Sequence, residues 1–100
     1  GMGDVIKIAD EMQAYTLSDR ATFLNFRTDL DLKIVIEGDE GLFNQYGVIA
    51  VDPGKNTNIN KEGAEKFVEW ILSQKAQEMI GQYGIETFGA PLFVPNAKVR

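Results

Sequence analysis

Apolar side chains recur at helical spacing in two parts of the chain. In the last third they form one stripe at Ala64, Phe67, Val68, Ile71 and Leu72 and a second at Ala76, Met79, Ile80 and Tyr83. Such stripes are typical of amphipathic helices. We therefore predict two helices there, with Asn60 and Ser73 as N-caps and Gly84 just past the end. A shorter stripe near the start predicts another helix over 5–13.

Three short apolar runs have the composition of strands instead. The β-branched run 32–36 is the clearest, 14–17 and 46–51 are further candidates, and 92–94 is predicted as a short extended piece that Pro95 ends. A further helix is predicted to begin at Ser18. Helices alternating with strands indicate an α/β fold. Because 32–36 is apolar on both faces, it needs cover on both sides, and we expect the chain to be part of a larger fold.

Composition removes several classes of chemistry. The 100 residues include no Cys and no His, so a catalytic triad, a thiol nucleophile and a His or Cys metal ligand are all excluded. The net charge of −5 argues against nucleic-acid binding, which needs a basic surface. No apolar stretch is long enough to span a membrane, and the first residues lack the pattern of a signal peptide. We expect a protein that is not an enzyme and has no cofactor.

The segment 15–22 is the strongest candidate for binding chemistry. It crosses from a predicted strand into a predicted helix, where free N–H groups carry partial positive charge. The hydroxyls of Thr16 and Ser18 and the guanidinium of Arg20 would add donors for an oxyanion. The purely structural alternative is equally concrete. Ser18 would cap the helix, and Arg20 would pair with Asp19 or with a distant carboxylate.

An acidic loop is the second candidate. Glu37, Asp39 and Glu40 alternate with glycines, as carboxylates do in some calcium sites, but their spacing does not fit an EF-hand loop. A solvated turn is the better interpretation of this loop. We therefore predict no protein-ligated metal.

Three segments read together resemble a known family. They are AYTLSDRATF at 14–23, LFNQYGVI at 42–49 and PLFVPNA at 91–97. The sequence is similar to the C-terminal part of the extracytoplasmic tungstate-binding proteins of ABC transporters. This resemblance implies part of a two-lobed α/β fold, of the periplasmic-binding-protein type II-like kind, that closes around tungstate or molybdate. It also implies delivery of the oxyanion to the membrane permease and a periplasmic or extracytoplasmic location after removal of a signal peptide.

The resemblance also implies roles for individual residues and segments. Residues 1–45 would belong to the second lobe, and 46–100 would return through the hinge to helices that pack on the first lobe. The matching segment places Thr16, Ser18 and Arg20 on the ligand, with Asp19 orienting Arg20. Thr22 is a secondary choice, and Tyr46 and Gly47 would lie near the hinge.

Other functions remain open on the sequence alone. The ligand could be another small anion such as phosphate or sulfate, and the same fold could serve a cytoplasmic anion-sensing regulator. Residues 1–45 hold nine acidic and four basic residues, so local donors rather than net charge would have to decide oxyanion binding. Since the chain would be part of a larger protein, it would self-associate to cover exposed surface.

Overall fold

A computed structural model describes residues 1–98, and Val99 and Arg100 lie outside the described residues. The described part contains the α-helices α1 (Met2–Met12), α2 (Arg20–Phe26), α3 (Lys61–Ile71), α4 (Gln74–Gln82) and α5 (Ile85–Phe88). Short 3-10 helices lie at Arg27–Asp29, Glu40–Leu42 and Pro53–Lys55. The chain divides into two compact units, 1–45 and 46–100. The assignment of these segments to two lobes stays a prediction.

The first unit is built on the contact between α1 and α2. Ile6 and Ala9 on α1 and Leu24 on α2 are buried. At the same contact, the Lys7 ammonium lies 4.6 Å from the centre of the Phe26 ring, a cation–π arrangement. The predicted helix over 5–13 is therefore confirmed, although it begins three residues earlier.

The second unit is built on α3 and α4, both of which the apolar stripes predicted. The Asn60 side chain accepts from the Gly63 N–H at 2.8 Å, and the Ser73 hydroxyl accepts from the Ala76 N–H at 3.2 Å. Both predicted N-caps are confirmed, because each satisfies a backbone N–H that the helix itself leaves unpaired. Ala76 on α4 is buried.

Residues 91–97 return to α4 in the same unit. Gln77 links them to α3, since its Nε2 donates to the Ile71 carbonyl at 2.8 Å and its Oε1 accepts from the Ala97 N–H at 3.3 Å. Gly84 has a φ of +88°, as expected just past a helix end, and also begins α5. A Cβ there would meet the Leu92 side chain at 2.6 Å, so the close approach requires glycine.

The three predicted strands are not confirmed, because residues 1–98 contain no strand. The runs 14–17, 32–36 and 46–51 lack a paired neighbour. A strand needs the N–H and C=O groups of an adjacent segment, and apolar composition alone does not supply them. Side chains that such a sheet would bury are exposed instead, including Val35, Ile36 and Ile49. The α/β class is therefore not confirmed by the described residues, which are helical.

Candidate functional site

The segment 15–22 leads into α2, but the helix begins two residues later than predicted. Asp19 is its N-cap, with extended backbone angles (φ −74°, ψ 155°), and Arg20 is its first residue. Ser18 is not the cap, and the prediction that the helix begins there is wrong. The Ser18 hydroxyl donates to the Asp19 carbonyl at 3.0 Å. Serine and aspartate are comparable N-caps, so residue type alone did not separate the two positions.

Asp19 and Thr22 form a closed pair of hydrogen bonds at this helix start. The Thr22 N–H donates to Asp19 Oδ2 at 3.0 Å, and the Thr22 hydroxyl donates to Oδ1 at 2.7 Å. Partial burial raises the pKa of the Asp19 carboxyl, whereas the bonds from the Thr22 hydroxyl, the Thr22 N–H and its own N–H lower it. The pKa therefore lies below its ordinary value of 3.8. Both carboxylate oxygens are committed to Thr22.

Arg20 finds its partner elsewhere. Its Nη2 donates to Glu37 Oε2 at 2.9 Å, and the two side chains are 50% and 54% exposed. The prediction that Asp19 orients Arg20 is therefore wrong, because the Asp19 carboxylate bonds to Thr22. The alternative that Arg20 pairs with a distant carboxylate is the one observed. Nothing in the local sequence identified Glu37 as that partner, since 17 residues separate the two.

The five predicted ligand residues thus fall into distinct environments. Asp19 and Thr22 are half-buried and bonded to each other, and Ser18 is half-buried beside them. Thr16 and Arg20 are exposed. An oxyanion at this surface could accept from exposed hydroxyl and guanidinium donors, which are the groups that form charge-assisted hydrogen bonds with anions. The ligand role of all five residues stays a prediction.

The acidic loop behaves as a turn. Asp39 is the N-cap of the 3-10 helix Glu40–Leu42, and its Oδ1 accepts from the Gly41 N–H at 2.7 Å. Glu37 is held by Arg20. Within residues 1–98, no group of three or more acidic side chains is arranged to hold a metal ion.

The predicted hinge residues lie at the start of the second unit. The Tyr46 ring meets the Phe93 ring edge to face, with the ring centres 5.9 Å apart, and Phe93 also lies 6.4 Å from the Tyr83 ring. Gly47 has open space around it. A hinge role for Tyr46 and Gly47 stays a prediction.

An apolar concavity of about 350 Å³ lies in the second unit, between α3 and residues 48–51. Its walls include Val48, Ile49, Phe67 and Val68. The polar side chain at its edge, Asn60, is already used to cap α3. A concavity of this kind suits apolar side chains rather than an oxyanion.

Comparison with known proteins places the chain in a class. Residues 1–75 match the PBP superfamily domain, and the chain belongs to that superfamily. Over 97 residues it is 66% identical to the tungstate-binding protein TupA of Peptoclostridium acidaminophilum, an alignment that covers 97% of this chain and 34% of that protein. It is 38% identical over 104 residues to the tungstate-binding protein TupA of Campylobacter jejuni, covering 100% of this chain and 38% of that protein.

The chain therefore spans a little over a third of the length of these relatives. No solved structure matches it. Among the residues that the structure describes, no helix is both long and apolar enough to cross a membrane.

Proposed function

We propose that this chain is the C-terminal portion of the solute-binding component of an ABC importer, which binds tungstate or molybdate and delivers it to the membrane permease. The observation that carries the proposal is the 66% identity to a tungstate-binding protein across 97% of the chain. The protein acts by binding and release and catalyses no reaction. It works outside the cytoplasm, where such receptors meet their ligand.

The full protein in this proposal has two α/β lobes of the type II-like arrangement. Residues 1–45 belong to the second lobe, and 46–100 return past Tyr46 and Gly47 to helices that pack on the first. The exposed apolar runs support this proposal, because segments such as 32–36 have strand composition and require neighbours to pair with. This chain does not cover about two-thirds of the length of its relative. In this proposal, the neighbouring strands belong to that uncovered part.

Thr16, Ser18 and Arg20 bind the oxyanion in this proposal, and the Ser18 hydroxyl gives up its bond to the Asp19 carbonyl to do so. Hydrogen bonds to charged groups contribute about 1.5–3 kcal/mol each, so three to five of them reach sub-micromolar affinity after the cost of ordering. This chain supplies only some of the donors, and the uncovered part of the protein supplies the others. Asp19 and Thr22 stabilise the first turn of α2 through their hydrogen bonds to each other, and this turn carries Arg20.

The test is the change Arg20→Ala in the full-length protein, with tungstate affinity measured by calorimetry. We expect at least a tenfold loss, because the guanidinium is the one full positive charge among the proposed ligand residues. Lys33→Ala is the matched control, since it removes the same charge from the same unit and should leave affinity within about twofold. Equal affinity of Arg20→Ala and the unchanged protein would remove Arg20 from the site.

Other tetrahedral anions define the second candidate function. The hydroxyl and guanidinium donors of 15–22 suit phosphate or sulfate as well as tungstate, and cavity size separates these anions. A competition series with tungstate, molybdate, sulfate and phosphate decides among them. Displacement of tungstate by phosphate or sulfate at equal concentration would favour a receptor for those anions.

A further inference from the structure

The guanidinium of Arg20 already holds an anionic group of the protein itself. Its Nη2 lies 2.9 Å from Glu37 Oε2. An arginine presents the same N–H groups to a carboxylate as to a tetrahedral oxyanion, so the two compete for one set of donors. The Arg20 and Glu37 side chains are each about half exposed. Breaking an exposed ion pair of this kind costs little free energy, so another anion can replace the carboxylate.

The neighbouring carboxylates have other partners. Asp19 adjoins Arg20 in sequence, but both its oxygens accept from Thr22. Asp39 lies in the same loop as Glu37, and its carboxylate accepts from the Gly41 N–H. Among the described residues, Glu37 is therefore the carboxylate that the structure aims at Arg20.

We infer that Glu37 is an internal competitor for the oxyanion: it holds Arg20 and is displaced when the anion binds. This inference rests on the proposed function. A Glu37 carboxylate in contact with a bound dianion is repelled by it, because both groups are negatively charged. Binding at Arg20 therefore exchanges one anionic partner for another and moves the Glu37 side chain away.

This exchange sets a threshold for binding. Every anion must first replace the Glu37 carboxylate. The free energy of the Arg20–Glu37 ion pair is therefore subtracted from the binding free energy that the donors alone would give. That value corresponds to about a two- to fivefold change in Kd for an exposed pair. The same factor applies to every anion that binds at Arg20, so the exchange lowers affinity without changing the order of preference among anions.

The test compares Glu37→Gln with Glu40→Gln in the full-length protein by calorimetry. Both changes remove one negative charge from the same loop, but Arg20 pairs with Glu37 and not with Glu40. We expect Glu37→Gln to tighten tungstate and molybdate binding by the same factor of about two to five, and Glu40→Gln to leave it nearly unchanged. The gain should vanish in the Arg20→Ala background. Thermal unfolding of each variant confirms that it is folded.

Each result separates the inference from the proposed function. Equal affinities for Glu37→Gln and Glu40→Gln, with tungstate still bound, would overturn the competitor role and leave the receptor function intact. Weaker binding by Glu37→Gln would show that Glu37 positions Arg20 in the complex, which also overturns it. If the unchanged protein binds none of the oxyanions, both the proposed function and this inference fall.

Discussion

The Asp19 carboxylate makes the start of α2 sensitive to pH. Because its hydrogen bonds hold the pKa below 3.8, folding favours the charged form. The stabilisation is fully present above the pKa of the unfolded chain and is lost as the pH falls through the lower pKa of the folded protein. The sensitive window therefore begins near pH 3.8 and extends below it.

We expect Asp19→Ala to lower the free energy of unfolding of the full-length protein by about 1 kcal/mol at neutral pH, the usual value of an N-cap. The difference from the unchanged protein should stay constant well above pH 3.8 and shrink as the pH falls through the window that begins there. Urea unfolding across a pH series measures it. Asp19→Asn is the control, because asparagine caps equally well without titrating. A difference that grows on acidification would contradict the assigned sign.

The local sequence named polar residues in the segment 15–22, but it did not identify all of their partners. It indicated donors at Thr16, Ser18 and Arg20, and it named a distant carboxylate as one alternative for Arg20. It could not identify Glu37, because a contact across 17 residues depends on how the intervening chain folds. It also placed the cap at Ser18 rather than Asp19, since both residue types cap well.

At the scale of elements, helices were predictable and strands were not. The stripes of α3 and α4, with Asn60 and Ser73 before them, are local signals that a helix satisfies within itself. A strand depends on a second segment for every hydrogen bond. The runs 32–36 and 46–51 have the composition of strands, but the described residues provide no paired neighbour.

The packing of residues 91–97 on α4 gives a prediction at Gly84. We expect Gly84→Ala to lower the free energy of unfolding by about 2–4 kcal/mol. The added Cβ is strained by the left-handed backbone at this position and clashes with the Leu92 side chain. Gly89→Ala is the matched control. Gly89 has a φ of +75° but open space around it, so its change should cost only about 1 kcal/mol. Equal losses in chemical denaturation would show that the Leu92 contact yields without cost.

At the scale of the whole molecule, the accessible surface of the chain is larger than its mass predicts for compact protein. It exposes 8364 Å², whereas two separate compact bodies of half its mass would together expose about 6,800 Å². The excess includes apolar side chains such as Val35, Ile49 and Phe67. Exposed large apolar side chains of this kind are typical of surfaces that pack against a partner or another part of a protein.

We therefore expect the 100-residue chain on its own to self-associate and to bind tungstate much more weakly than the full-length protein. Self-association buries the apolar side chains that further chain would otherwise cover. Sedimentation velocity measures the first property and calorimetry the second, with the full-length protein as control. A monomeric 100-residue chain that binds tungstate as tightly as the full-length protein would contradict both expectations.

The two hydrogen bonds of the Gln77 side chain become possible at different times during synthesis. Its partner Ile71 precedes it in the chain, so that bond can form as soon as α4 does. Ala97 follows 20 residues later, which is about 1–4 s at the usual rate of translation. The bond from Gln77 to α3 therefore needs no residue of 91–97 and can form before they arrive.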